Sequence, residues 1–119
     1  MENRDYYEPK QDLYFSAIVP VFNEVDSLNE LHQLLTETFV LMRKSYEILF
    51  VDDGSRDGSL ERLLEISAKD PSVKVISFYN NYGKSAAYMA AFKACSGQYI
   101  FTLDSDLQDV PSEMPKLTR

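Results

Sequence analysis

Residues 103–109, "LDSDLQD", place three aspartates and a glutamine directly after the apolar run "QYIFT". Asp104 and Asp106 stand two apart, and side chains two apart at the end of an extended strand point the same way. Two carboxylates aimed at one point repel each other unless a cation sits between them. An oxygen-only donor set suits a hard ion, Mg2+ or Mn2+, which keeps positions open for phosphate oxygens. Gln108 can add a neutral carbonyl oxygen. Asp109 is either a fourth ligand or the N-cap of the next segment. Taken alone in a chain with 19 acidic residues, the spacing reads more simply as a solvated turn.

Three other polar clusters can do chemistry. Asp52 and Asp53 precede "GSRDGS", and a carboxylate at such a strand end can accept hydrogen bonds from ribose hydroxyls or a base N–H. Gly54 and Gly58 let the backbone turn sharply and approach a ligand. The bland alternative is a β–α turn in which Asp57 or Ser59 caps the following helix. "PVFNE" breaks its strand at Pro20, which lacks an N–H, and brings Phe22, Asn23 and Glu24 to the strand's end. By itself that stretch reads as helix-entry chemistry. "NNYGKS" sets Gly83 and Lys84 at the opening of a helix, where a cation and free N–H groups favour anions. The P-loop pattern G-x-x-x-x-G-K-[ST] is absent, and a solvent lysine is the simple alternative.

The elements that must position these clusters alternate. Strands are predicted over 14–22, 46–53, 73–80 and 98–104, from short runs rich in β-formers. Helices are predicted over 26–45, 59–70 and 84–97, from apolar residues at helical spacing. Ser27 and Glu30 form a predicted capping box, Arg43 and Lys44 suit the C-terminal end of the helix dipole, and Gly97 is the predicted stop of the third helix. Strand–helix alternation implies an α/β fold, a Rossmann-like sandwich with a mostly parallel sheet and helices on both faces. Ligands bind such sheets beyond the carboxyl ends of the strands. All four polar clusters fall on that one edge, whereas random acidic turns would fall at both ends.

Composition narrows the class. With 119 residues, 45% hydrophobic and 26% charged, the chain is globular and of one-domain size. Residues 1–14 mix charges with Pro9, show no period and read as a flexible polar tail. A net charge of −7 argues against a nucleic-acid partner. It leaves room for an anionic ligand carried with a metal. The single cysteine, Cys95, excludes a disulfide framework and a cysteine-based zinc cluster. It reads as a small core residue in a reducing, cytoplasmic setting. His32 is expected at a surface or core edge without partners. Tyr79, Tyr82, Tyr88 and Tyr99 are expected to pack, with Tyr79 or Tyr82 able to line a cleft. The closing "PSEMPKLTR" reads as the start of a helix, so a longer protein is expected.

Together, "IVPVFNE", "ILFVDDGSRDGS", "NNYGKSAA" and "FTLDSDLQDVP", in this order and spacing, resemble the inverting family 2 glycosyltransferases of GT-A fold. The likeness runs over roughly residues 15–117, and "DLQD" resembles the branch that transfers sugars to polyprenyl phosphates. One departure is Val110, where many relatives carry a second proline. The resemblance implies that residues 15–119 are the nucleotide-sugar-binding portion of such a domain. It implies that Pro20, Phe22 and Glu24 line the nucleotide pocket with Asn23 adjacent, and that Asp53 contacts base or ribose with Asp52 nearby. Lys84 would lie near the base or diphosphate. Asp104, Asp106 and Gln108 would hold Mg2+ or Mn2+ against the diphosphate of a UDP- or GDP-sugar. A hexose would pass to a polyprenyl phosphate or glycan acceptor at the cytoplasmic face of the membrane. The acceptor site, any catalytic base and any membrane anchor are expected beyond residue 119. Two rivals stand beside this: a response-regulator receiver domain, whose acidic pair "ILFVDD" resembles, and a non-catalytic nucleotide-binding module.

Overall fold

The computed structural model describes residues 13–103. Asp104, Asp106, Gln108 and Asp109 lie outside that range, as do residues 1–12 of the predicted tail and the predicted C-terminal helix start. Within it, strand and helix alternate as β1 (Phe15–Val21), α1 (Leu28–Met42), β2 (Tyr46–Asp53), α2 (Ser59–Lys69), β3 (Val73–Phe78), α3 (Lys84–Ala94) and β4 (Tyr99–Thr102). The strands form one parallel sheet in the order β3-β2-β1-β4. This is the predicted α/β sandwich.

The two faces of the sheet are separated by the alternation of the strands. Ala17, Val19, Ile48 and Phe50 point to one face and pack under Leu31, Leu35 and Phe39 of α1 and Leu63 of α2. Ile18, Leu49 and Val51 point to the other face and pack under Ala87 and Ala91 of α3. Both faces of β1 and β2 are covered, which is why their sequences are continuous apolar runs rather than alternating ones. The apolar stripe of α1 recurs at Leu28, Leu31, Leu35 and Phe39, steps of three and four that keep one side of a helix inward. Each such fully buried side chain contributes about 1.5–3 kcal/mol. The small alanines of α3 let its backbone lie close over β1 and β2.

Several boundaries differ from the sequence expectation for identifiable reasons. The capping box does not form: a 3-10 turn at Val25–Ser27 precedes α1, and Ser27 is already in a helical conformation. Its hydroxyl therefore turns back and donates to the Glu24 carbonyl at 3.3 Å. Arg43 takes the left-handed conformation (φ 57°) that ends α1, its N–H donating to the carbonyls of Phe39 and Val40. Helix α3 stops at Ala94, before Gly97. Gly97 serves packing instead, because a Cβ there would lie 2.6 Å from the backbone of Phe15 and Ser16. Pro20 does not break β1, which continues to Val21 beside β2. Ile18 gives its carbonyl to the Leu103 N–H at 2.9 Å on the β4 side. Pro20, two residues on, presents its missing N–H to that same side, where pairing with β4 has ended at Ile18–Thr102.

His32 is not without a partner: its Nε2 lies 2.7 Å from Asp70 Oδ2 and ties α1 to the end of α2. Cys95 is half-buried beside the second core cluster. Burial, together with the nearby Glu47 carboxylate, pushes its thiol above the ordinary range, so it behaves as a packing residue. Tyr88 stacks on Phe92 and Tyr99 leans on Tyr14, while Tyr79 stands 93% exposed.

Candidate functional site

The chain leaves β1, moves outward through β2 to β3, then returns across the sheet to place β4 on the other side of β1. The reversal opens a crevice between the carboxyl ends of β1 and β4, the switch point at which open α/β sheets bind ligands. Residues 22–27, 54–58 and 79–83 all lie on this edge. The last described residue, Leu103, is buried there against β1.

These loops are fastened to one another. The Asn23 N–H donates to Ser55 Oγ at 2.9 Å, and Asn23 Oδ1 accepts from the Arg56 N–H at 2.8 Å. The Glu24 N–H donates to the buried Ser59 Oγ at 3.1 Å. The Val25 N–H donates to Asp57 Oδ2 at 3.1 Å. Asp57 Oδ1 accepts from both the N–H and the hydroxyl of Ser59. Burial works against the Asp57 charge, but these hydrogen bonds from Ser59 and Val25 outweigh it and hold the carboxyl below its ordinary range.

The Asp52–Asp53 doublet divides its labour, because successive strand residues point to opposite faces. Asp53, 4% exposed, turns toward the β3–α3 loop. Its Oδ1 accepts from the Tyr82 N–H at 2.7 Å, and its Oδ2 from the Gly83 N–H at 2.9 Å and Asn81 Nδ2 at 3.1 Å. A carboxylate offers about four acceptor positions, so among the described residues one on Oδ1 remains. Asp52 is buried at 1% exposure. Its Oδ2 accepts from the Ser55 N–H at 3.3 Å, while its Oδ1 is buried and has no hydrogen-bond partner among the described residues. An open buried acceptor of this kind is costly and calls for a donor. Gly54, at φ +77°, lets the second loop touch the third: a Cβ there would lie 2.5 Å from the Asn80 carbonyl carbon.

Of the expected site residues, Pro20 is buried at the crevice and Phe22 stands 44% exposed at its rim. Asn23 and Glu24 belong to the joined loops, Asp52 and Asp53 close β2 and bind them, and Lys84 is exposed in the first turn of α3. Asp104, Asp106 and Gln108 lie outside the described residues. Among the described residues no group of three or more His, Cys, Asp or Glu is arranged to hold a metal ion. Ser55, Asp57 and Ser59 are the members that sequence reasoning missed as site builders. Their side chains signal a turn, but their partners lie 32 or more residues away.

A profile of glycosyl transferase family 2 matches residues 16–119. The chain belongs to this family. It is 46% identical over 103 residues to the undecaprenyl-phosphate 4-deoxy-4-formamido-L-arabinose transferase of Pseudomonas fluorescens, covering 86% of this chain. The chain spans only 30% of that relative's length. Its fold superposes on the mannosyltransferase PcManGT of Pyrobaculum calidifontis, solved with GDP-Man and Mn2+. That match has a TM-score of 0.70 at 21% identity over 87% of this chain and 32% of the other. S. aureus TarS in complex with UDP-GlcNAc matches with a TM-score of 0.68 at 27% identity, over 89% of this chain and 30% of the other. Family membership replaces the receiver-domain alternative, whose acidic pair follows the first strand, whereas here the doublet ends the second. For this glycosyltransferase-family chain, no helix among the described residues is long and apolar enough to cross a membrane.

Proposed function

We propose that the chain is the donor-binding portion of an inverting glycosyltransferase that takes a UDP- or GDP-sugar and passes the sugar to a polyprenyl phosphate. The observation that supports this most directly is the union of three loops at the β1/β4 crevice, in a chain of this family. Pro20 and Phe22 provide an apolar wall for a base. The remaining acceptor position on Asp53 and the open Oδ1 of Asp52 are suited to a base N–H or a ribose hydroxyl. Lys84 brings positive charge to the first turn of α3, near the diphosphate.

The donor set Asp104, Asp106 and Gln108 is all oxygen and so fits a hard divalent ion, Mg2+ or Mn2+. When bound, that ion neutralises charge on a departing diphosphate. In the transfer, an oxygen of the acceptor phosphate forms a bond to the anomeric carbon from the face opposite the leaving group. The bond from that carbon to the diphosphate breaks, and the nucleoside diphosphate leaves with the electron pair. The acceptor phosphate is already ionised near neutral pH, so this branch of the chemistry needs no strong general base. The relative's name carries a formamido-arabinose, a pentose, where sequence reasoning expected a hexose. The pentose is the first sugar to test. Attachment at the cytoplasmic face of a membrane is assigned to regions outside this chain.

Calorimetry with UDP and with GDP, with and without Mn2+, tests the proposal. Metal-dependent binding of one nucleotide is expected, and Asp106→Ala abolishes it. Undiminished metal-dependent binding in Asp106→Ala refutes the metal assignment. Absence of binding to both nucleotides in the presence of Mn2+ refutes the donor site.

A further inference from the structure

We infer that Asn23 and Asp57 are positioning residues of the donor site, holding the β1–α1 turn in the shape that presents Phe22 and Glu24 to the nucleotide. The inference rests on the donor-site proposal above. Asn23 takes a left-handed conformation at φ 54°, one of two positive φ values at non-glycine residues among those described. Asparagine is tolerated there better than most residues, yet the conformation persists only when its surroundings enforce it. Here the enforcement is visible. The Asn23 backbone N–H is bound by Ser55 Oγ and its side-chain oxygen by the Arg56 N–H. One residue takes hold of the neighbouring loop from two directions. One and two residues further on, the N–H groups of Glu24 and Val25 are captured by Ser59 and Asp57.

These four bonds run between loops and satisfy N–H groups on both sides. Helix entry alone does not require them. Helix α2 uses Asp57 Oδ1 on Ser59, and the other oxygen of the same carboxylate reaches across to Val25. The left-handed turn reverses the chain immediately after β1, leaving Phe22 44% exposed at the rim while Val21 is buried. A turn without the cross-loop bonds samples other conformations, and a ligand must then bear the cost of ordering it. Asn23 and Asp57 therefore act through Phe22 and Glu24 and need not touch the ligand.

The test uses the full chain with UDP or GDP, whichever the wild type binds in the presence of Mn2+, titrated by calorimetry. Asn23→Gly keeps the left-handed turn without strain and removes the whole side chain, and with it the acceptor of the Arg56 N–H. It is expected to weaken binding about fivefold. Asn23→Asp keeps an acceptor in place and is expected to bind within about twofold of wild type. Asp57→Ala provides an independent variant, with a loss similar to that of Asn23→Gly. Hydrogen exchange is read alongside: the Arg56 amide loses protection in Asn23→Gly and the Val25 amide in Asp57→Ala, while Leu49 in β2 stays protected. Unchanged affinity together with lost protection overturns the positioning role and leaves the donor site standing. Equal losses in Asn23→Asp and Asn23→Gly also overturn it, because they point to direct contact by the Asn23 amide. A wild type that binds neither nucleotide overturns the donor site, and the positioning role with it.

Discussion

Glu47 lies at the opposite edge of the sheet from the β1/β4 crevice, and replacing it measures what holds that edge together. It is a buried charge at 1% exposure, the second residue of β2. Its Oε2 accepts from the Ser16 hydroxyl and the Ser96 N–H, each at 2.6 Å, and its Oε1 accepts from Lys74 Nζ at 2.7 Å. Burial raises its pKa, but the hydrogen bonds from Lys74, Ser16 and Ser96 and the Lys74 charge outweigh burial and hold it below the ordinary 4.5. In Glu47→Gln, the amide oxygen can take the Oε2 position and keep both Ser16 and Ser96. Only the Lys74 pair is lost, and Lys74, 47% exposed, can swing into water. The expected cost is about 1.5–2 kcal/mol, the low end for a hydrogen bond to a charged group because of that exposure. Glu47→Ala strands the Ser96 N–H and the Ser16 hydroxyl and leaves a void, at a cost of about 3–5 kcal/mol. A depressed native pKa contributes stability that is full above the unfolded value and is lost as pH falls through the native one. The gap between wild type and Glu47→Gln is thus constant near neutral pH and closes progressively below about pH 4.5. Urea unfolding of the wild type and both variants across pH 3–7 reads all of this. Equal costs for Gln and Ala, or a wild-type-to-Gln gap unchanged down to pH 3, refute the account.

Two further outcomes concern the donor edge. Asp53→Asn keeps its oxygen for the two donors at Oδ2 but turns an amide N–H toward the Tyr82 N–H that now donates to Oδ1, so urea unfolding should show a loss of about 1–3 kcal/mol and hydrogen exchange a faster Tyr82 amide. Protection unchanged at both Tyr82 and Gly83 contradicts the role given to this carboxylate. Gly54→Ala combines a left-handed φ of +77° with a Cβ 2.5 Å from backbone. The urea midpoint should report a loss of about 3 kcal/mol, and a loss below about 1 kcal/mol shows that the second and third loops separate freely.

The fold was legible because strand and helix differ in period, and the two faces of β1 and β2 differ in which helix covers them. Continuous apolar runs such as "AIVPV" and "ILFV" meant strands buried on both sides, and they are. What the sequence hid were relations between distant side chains. The Ser27–Glu30 spacing fits a capping box, but the preceding 3-10 turn reoriented Ser27, and no local pattern announces that turn. His32 looked solitary because its partner, Asp70, lies 38 residues on. Gly97 looked like a helix stop because glycine so often is one, whereas its space is limited by β1. At the donor edge, residue types and the shared edge could be foreseen from strand order. The bonds that make separate loops into one surface could not, since Asn23, Asp57 and Ser59 each carry an ordinary local explanation.

The Asp52–Asp53 doublet shows why that distinction matters for function. Strand geometry sends the two carboxylates to opposite faces, so the pair cannot act as one bidentate group on one ligand atom. Asp53 spends three of its acceptor positions on the backbone and side chain of the third loop. Asp52 spends one oxygen on the second loop, and its other oxygen is buried without a partner among the described residues. A carboxylate fixed by several protein donors arrives at a ligand already oriented, which lowers the ordering cost of binding. An open buried acceptor does the opposite for the empty protein, costing stability that a bound N–H or hydroxyl would restore. Orientation and unsatisfied demand thus sit on adjacent residues. The loops at this edge are therefore stabilised mutually by hydrogen bonds between one another, with only a few acceptor positions left over for the proposed nucleotide.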